Sequence, residues 1–143
     1  MQAVISSEET YVFAASTLED DGRAYWFGDG IEVFIAKEDS VIVGMYKIVA
    51  NQRDLGSHVA NASFMVSPAS QGRGVGRVLG ISCLAEAATL GFLAIQFNFV
   101  VSTNAPAVAL WKSLGFQIVG VIPKAFRHKR LGFVDALVMH RFL

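Results

Sequence analysis

The chain has 143 residues, 53% of them hydrophobic, and its mean hydropathy is +0.46. That length suits one domain around one core, and that composition excludes a disordered chain, which cannot bury enough apolar surface to offset its ordering entropy. Lys and Arg together number 12, as do Asp and Glu, so no overall basic footprint exists for nucleic acid or an anionic membrane surface, although a local basic patch can still serve a phosphorylated ligand.

The single cysteine, Cys83, lies in an apolar stretch and reads as a small core residue rather than a nucleophile. Without a second cysteine no intrachain disulfide forms, which fits a reducing, cytoplasmic setting. The N-terminus lacks a basic flank followed by an apolar run, so no signal peptide is expected. Residues 78–95 are almost wholly apolar, but Gly80, Glu86 and Gly91 interrupt them. A charge near the centre of such a run is costly in lipid. A buried helix turning into a buried strand explains the same composition, so no membrane span is expected. The histidines are scattered and the cysteine has no partner at ligand spacing, so no metal site is expected.

In chain order, residues 7–27 read as helical or irregular. Thr17 followed three residues later by Asp20 resembles a helix start, with Leu18 and Tyr25-Trp26-Phe27 as later apolar contacts. Three strand-like runs follow: residues 32–36 before a turn at 37–40, then 41–49, then 59–66 ahead of Pro68. Short turns between them argue for antiparallel hairpins. Residues 74–90 carry a long apolar helix pattern in which Ser82, Glu86 and Thr89 share one face, so this helix is expected to be largely covered. Residues 92–101 form the continuous apolar run of a strand buried on both faces. Residues 106–114 read as a second helix, capped by Asn104 and stopped by Gly115. Residues 116–122 and 134–142 read as two closing strands. The pattern predicts a mixed α+β fold, with a central, mostly antiparallel twisted sheet and helices on both faces. No repeat or linker divides it. Residues 1–143 are expected to form a single domain, with 1–30 as a shortened N-terminal helical segment and 31–143 as the core.

The sharpest local signal is Gln71-Gly72-Arg73-Gly74-Val75-Gly76, which follows the strand ending in Phe64-Met65-Val66 and opens the long helix. Backbone N–H groups at a helix start have no internal partner, and the helix dipole favours an anion there. Glycines let the backbone approach a ligand and adopt positive φ, and Arg73 and Arg77 can add charge-assisted bonds. A tight turn that needs glycine would explain the same residues. The run matches neither the dinucleotide fingerprint nor the Walker pattern, which removes nicotinamide and nucleotide-hydrolysis readings.

Gln71-x-x-Gly74-x-Gly76 resembles motif A of the GNAT superfamily of acetyl-CoA-dependent N-acetyltransferases, Q/R-x-x-G-x-G/A. A second element follows in the right order. The segment from Asn104 to Phe116, with Ala107, Leu110, Trp111, Lys112 and Gly115, is similar to the family's N-x-x-A-x-x-L-Y-x-x-x-G-F. The tail Phe126-Arg127-His128 to Val134-Asp135-Ala136 resembles a common bacterial subgroup. The resemblance covers residue 32 to the C-terminus and makes 31–143 a cofactor-binding core. It implies acetyl-CoA as cofactor, with its pyrophosphate on the Gly-rich turn. Backbone of Met65 and Val66 would then meet the pantetheine arm and thioester, and Asn104, Ala107, Trp111 and Lys112 would line the cofactor's other side. The N-terminus departs from the family, whose members begin with a strand and a full helix. Here the first strand or part of the first helix is expected to be missing. The family admits a homodimer, and an absent edge strand would leave a sheet edge free to pair.

Acyl transfer to an amine needs a neutral amine, although a free alkyl amine has a pKa near 10. It also needs a polarised thioester carbonyl and a proton for the departing thiolate. The family's usual acid is the tyrosine that Trp111 replaces, and indole donates hydrogen bonds without being a useful acid. Its frequent base is a glutamate whose nearest match is Asn61, which takes no proton. The resemblance therefore implies catalysis by positioning, by the N–H of Met65 or Val66, and by water-relayed proton transfer.

His58, at a strand start, is a candidate proton relay, or simply a strand-end residue. Asn98 is a candidate ligand for an acceptor carbonyl, or a satisfied buried amide. His128 sits in the basic group Lys124, Arg127, His128, Lys129, Arg130, which would attract a carboxylate-bearing acceptor or form a solvated loop. Tyr25 and Trp26 would line an acceptor pocket or pack in the core.

The leading expectation is an enzyme that acetylates a primary amine of a small molecule, such as an amino acid, in a ternary complex. A non-catalytic acyl-CoA binder is an alternative, favoured by Trp111 and Asn61. So is an acetyltransferase of protein lysines or N-termini, although no acidic run suggests a peptide groove.

Overall fold

A computed structural model describes Val4 and residues 9–143. Helix α1 (Glu19–Phe27) opens with Glu19, Asp20 and Asp21, which its dipole favours. The expected cap at Thr17 is corrected. Leu18 occupies the cap position without a side-chain bond, and the Thr17 N–H closes a turn on Ala14 O at 3.0 Å. Residues 9–18 are irregular, while 7 and 8, part of the expected helical or irregular segment, lie outside the described residues.

Strands β1 (Glu32–Glu38) and β2 (Val41–Ala50) form a hairpin whose two turn residues, Asp39 and Ser40, both adopt positive φ. Such turns match the twist of the strands they join. The turn is therefore shorter than expected, and Lys37 and Glu38 belong to β1, paired with Ile42 and Val41 after a bulge. Strand β3 (Val59–Val66) pairs antiparallel with β2. A short 3-10 turn, the Gly-rich segment and helix α2 (Val75–Thr89) follow, then β4 (Ala94–Val101), α3 (Ala105–Ser113), β5 (Gln117–His128) and β6 (Gly132–Phe142). The sheet order is β1-β2-β3-β4-β6-β5, and β3–β4 is its parallel pair. Among the described residues no strand precedes β1.

Helices cover both faces. Leu79, Gly80, Cys83 and Ala87 form the buried stripe of α2, which packs with α3 over Tyr46, Ile48, Ala60 and Ile95. On the opposite face, Trp26 of α1 packs on Met65 and Met45. The expectation of a largely covered α2 is corrected, because only one side meets the sheet and Val78 and Ile81 are exposed.

Strand β3 keeps its expected bounds, β1, β2, β4 and β6 shift by one or two residues, and β5 shifts most. Strand β5 runs six residues beyond Ile122, through Pro123 and Lys124, because it lies at the sheet edge, where proline is tolerated. Lys124 takes φ 53° and donates its N–H to Asp135 Oδ1 at 2.8 Å, after which pairing resumes at Phe126 with Val134. Lys124, Arg127 and His128 thus belong to a strand, not to a solvated loop. Strand β4 is not buried throughout, since Asn98 and Phe99 are exposed where its register with β6 shifts between Phe97 and Val100.

Candidate active site

Strands β3 and β4 pair only at Val59 with Ala94 and Ala60 with Ile95, then part. The gap continues into a cleft of about 940 Å³ that runs from the Gly-rich turn through the sheet to the segment around Tyr11. Antiparallel ladders alternate their bonding direction. Asn51 N–H donates to Val59 O and Ser67 N–H to Val43 O, so odd-numbered residues of β3 turn their backbone groups to β2. Val66 therefore faces its N–H and C=O into the cleft, whereas those of Met65 are spent on β2.

At one end, Gly72 and Gly74 hold φ of 73° and 83°, and nothing lies within 4 Å of where a Cβ would stand on either. Gly74 caps α2 and its carbonyl accepts from the N–H groups of Arg77 and Val78. The N–H groups from Gly72 to Gly76 have no acceptor among the described residues, so they form a row of donors at a helix start, an arrangement that favours an anion. Gln71, Val75 and Arg77 line the same end. Arg77 also reaches Ser113 Oγ at 3.1 Å. Arg73 turns away from the cleft to an exposed ion pair with Glu38 at 2.8 Å.

Helix α3 supplies the second wall. The Asn104 side chain caps it by accepting from Ala107 N–H at 3.3 Å. Ala107, Leu110 and Trp111 line the cleft; Lys112 does not. The Trp111 ring is buried against Phe64 and Phe97, with centroids 4.7 and 4.8 Å away.

Beyond Val66 the lining becomes polar. Asn61 and Ser63 project from the α1 side of β3, and Ser63 Oγ pairs with Tyr25 Oη at 2.7 Å. Asn98 donates to Asn51 Oδ1 at 2.6 Å and accepts from Gln96 Nε2 at 2.9 Å. His128 is buried, and its Nδ1 accepts the backbone N–H groups of Arg130 and Leu131 at 3.1 and 3.3 Å. Tyr11 Oη is buried with no geometric partner among the described residues. Burial raises its pKa, and the neighbouring Tyr25 adds to the rise.

Trp26 and His58 do not join the site. Trp26 is buried against Met65, and His58 is exposed ahead of β3. Arg130, from the basic group considered for an acceptor carboxylate, lines the cleft, and so do Glu9, Tyr11, Ser63 and Phe99, which were not among the sequence candidates. Of these, Ser63 carried a usable signal, since it lies two residues from Asn61 and shares its face. Behind Tyr25, burial pushes the Lys47 pKa down to about 8. Among the described residues no three His, Cys, Asp or Glu gather as a metal site, and no helix is long and apolar enough to cross a membrane.

A split sheet beside a Gly-rich helix start defines an α+β protein built to hold a long, phosphate-bearing ligand through its sheet. The chain belongs to the acetyltransferase (GNAT) family, which its residues 2–116 match. N-acetyltransferase aca1 of Schizosaccharomyces pombe is 37% identical over 98 residues, 68% of this chain and 47% of that protein. The L-methionine sulfoximine/L-methionine sulfone acetyltransferase of Salmonella typhimurium is 29% identical over 114 residues, 76% of this chain and 66% of that one. The chain therefore spans about half the length of the first relative. A solved GCN5-related N-acetyltransferase from Kribbella flavida is 41% identical, with a TM-score of 0.93 over 99% of this chain and 87% of that one. The family's cofactor is acetyl-CoA. The unaccepted N–H row, the cleft through the sheet and the free Val66 N–H suit its pyrophosphate, its arm and its thioester carbonyl.

Proposed function

We propose that this chain transfers an acetyl group from acetyl-CoA to the primary amine of a small molecule, by direct attack in a ternary complex. The observation that carries this reading is the parting of β3 and β4, which makes one cleft accessible to a cofactor from the α2 side and to an amine from the α1 side.

Bound acetyl-CoA supplies an activated acyl group as a thioester. The Gly72–Gly76 N–H groups, with Gln71 and Arg77 beside them, anchor its phosphates. Ala107 and Trp111 cover the arm. Val66 N–H faces the acyl carbonyl and stabilises negative charge on its oxygen, a contribution of about 3 to 4 kcal/mol for one well-placed donor. Holding the two substrates together contributes roughly 7–11 kcal/mol in favourable cases. Asn61, Ser63 and Asn98 face the amine. Among the described residues the one carboxylate on the cleft, Glu9, is paired with Arg130 at 2.8 Å, so the amine proton leaves through water.

A small acceptor is supported by the wall that residues 9–12 and the β5–β6 turn build across the acceptor end. The Salmonella relative named for two amino-acid analogues supports the same class. Release of free CoA from acetyl-CoA with a panel of small amines tests the reading. Turnover with at least one amine is expected. Acetyl-CoA binding without turnover on any amine would make the chain an acyl-CoA binder instead, and acetylation of proteins alone would replace the small acceptor.

A further inference from the structure

We propose that His128 is a specificity-determining residue, whose imidazole offers one fixed N–H donor to an anionic group on the acceptor, a carboxylate being the class that fits. This deepens the reading above and rests on it.

His128 ends β5, is 6% exposed, and borders the cleft. Its Nδ1 accepts two backbone N–H groups from the hairpin turn. A nitrogen that accepts carries no proton, so the ring N–H is on Nε2. Among the described residues Nε2 has no hydrogen-bond partner. The Phe126 ring meets the imidazole edge-on with centroids 6.3 Å apart, and Phe99 backs Phe126 at 6.4 Å. The donor is therefore held in place by the turn and by packing before any acceptor arrives.

Among the described residues Glu9 is the one carboxylate on the cleft, and Arg130 occupies it. A second ammonium on the acceptor would find no free carboxylate among the described residues that line the cleft, which disfavours diamines and polyamines. The buried Tyr11 hydroxyl at this end lies beside the hydroxyls of Ser63 and Tyr25, whereas His128 Nε2–H is left without an acceptor among the described residues. An acceptor-rich group on the substrate supplies the one that Nε2–H lacks.

The β5–β6 turn and residues 9–12 meet over the end of the cleft opposite the Gly-rich turn, and Glu9 joins Arg130 across them. A group bound there lies on the far side of the amine from the thioester, where an amino acid's carboxylate would sit.

The experiment compares three forms of the full chain: wild type, His128→Asn and His128→Gln. Asparagine keeps an oxygen near the place of Nδ1 for the turn and removes the Nε2 donor. Glutamine places an amide N–H near Nε2. Each is assayed for CoA release with L-amino acids, their carboxamides and the amines left by decarboxylation. The wild type should favour the free acids. His128→Asn should lose about tenfold to a hundredfold in kcat/KM on the acids, mainly through KM, the span of one hydrogen bond to a charged group. It should change by less than about threefold on the decarboxylated amines. His128→Gln should recover part of the loss, and the acetyl-CoA Kd should be unchanged in all three. A wild type that prefers amines without a carboxylate overturns the proposal, as does an equal loss on acids and amines. A wild type that acetylates no amine yet binds acetyl-CoA overturns the proposed function itself, and His128 falls with it.

Discussion

Lys47 Nζ stands 3.2 Å from the centre of the Tyr25 ring and donates to the carbonyl oxygen of Tyr25 at 2.5 Å, so one buried cation ties α1 to the sheet. Burial pushes its pKa from 10.5 down to about 8. The unfolded chain then holds the proton more tightly. The cost of burying the charge is fully present below about pH 8 and is relieved as pH rises towards 10.5. Cys83 works in the opposite sense, because burial pushes its pKa from 9.0 up to about 12 and stability is lost as the unfolded thiol ionises. Comparison with Lys47→Met isolates the lysine. Urea unfolding should show wild type gaining about 2 to 3 kcal/mol relative to the variant between about pH 7 and pH 10. A difference that stays flat would mean that the ammonium is not desolvated.

The Gly-rich turn makes a second prediction. Gly74 and Gly91 have φ of 83° and 88°, and neither has an atom within 4 Å of its missing Cβ. Alanine at either site should cost about 1 to 2 kcal/mol from the left-handed backbone alone. Only Gly74→Ala should also weaken acetyl-CoA binding, by at least about tenfold, because the backbone there must approach the phosphates. Calorimetric titration of both variants checks this. Equal affinities would remove the turn from the cofactor site.

These glycines were legible in the sequence because their reason is local, a positive φ at the start of a helix. So was Asn104, whose side chain bonds three residues along its own helix. The bounds of β3 were legible for the same reason, with Pro68 just beyond them. What decides the acceptor end is not local. His128 belongs to a run of five basic residues that reads equally as an acceptor site or a solvated loop, yet a bulge at Lys124 carries the strand on to His128 and two backbone N–H groups fix its Nδ1. Tyr11 has no motif around it and enters the cleft because the chain before α1 folds across β3. The parting of β3 from β4 depends on where two strands separated by a helix stop pairing, and no run of residues encodes that alone.

Gly80 tests the packing behind the cleft. A Cβ there would lie 2.6 Å from Leu114 Cδ1 and 3.1 Å from Trp111 Cζ3. In an exposed helix, alanine for glycine gains roughly 0.5 to 1 kcal/mol. Here the leucine can turn aside but the indole, packed against Phe64 and Phe97, cannot move freely. The clash should win, with Gly80→Ala losing about 1 to 3 kcal/mol. Thermal unfolding reads the sign. A stabilised variant would show that α2 and α3 sit farther apart than 3.1 Å contacts allow.

Val66 allows binding and chemistry to be separated. It faces Gly44 in a pair that exchanges no ladder bonds, since the bonded pairs on either side are Ser67 with Val43 and Met65 with Met45. Proline at this position would remove the one N–H assigned to the acyl carbonyl without removing a bond of the sheet. Met65, the residue before it, is already extended, as a proline requires of its predecessor. Val66→Pro should therefore fold, with a modest loss in melting temperature, and bind acetyl-CoA within about tenfold of wild type. Its kcat should fall by about a hundredfold to a thousandfold, the effect of deleting one donor to a developing oxyanion. Val66→Ala, which keeps the N–H, should retain kcat within about threefold. If proline and alanine give the same kcat, the carbonyl is polarised elsewhere, and the alternation of β3 has assigned the wrong amide.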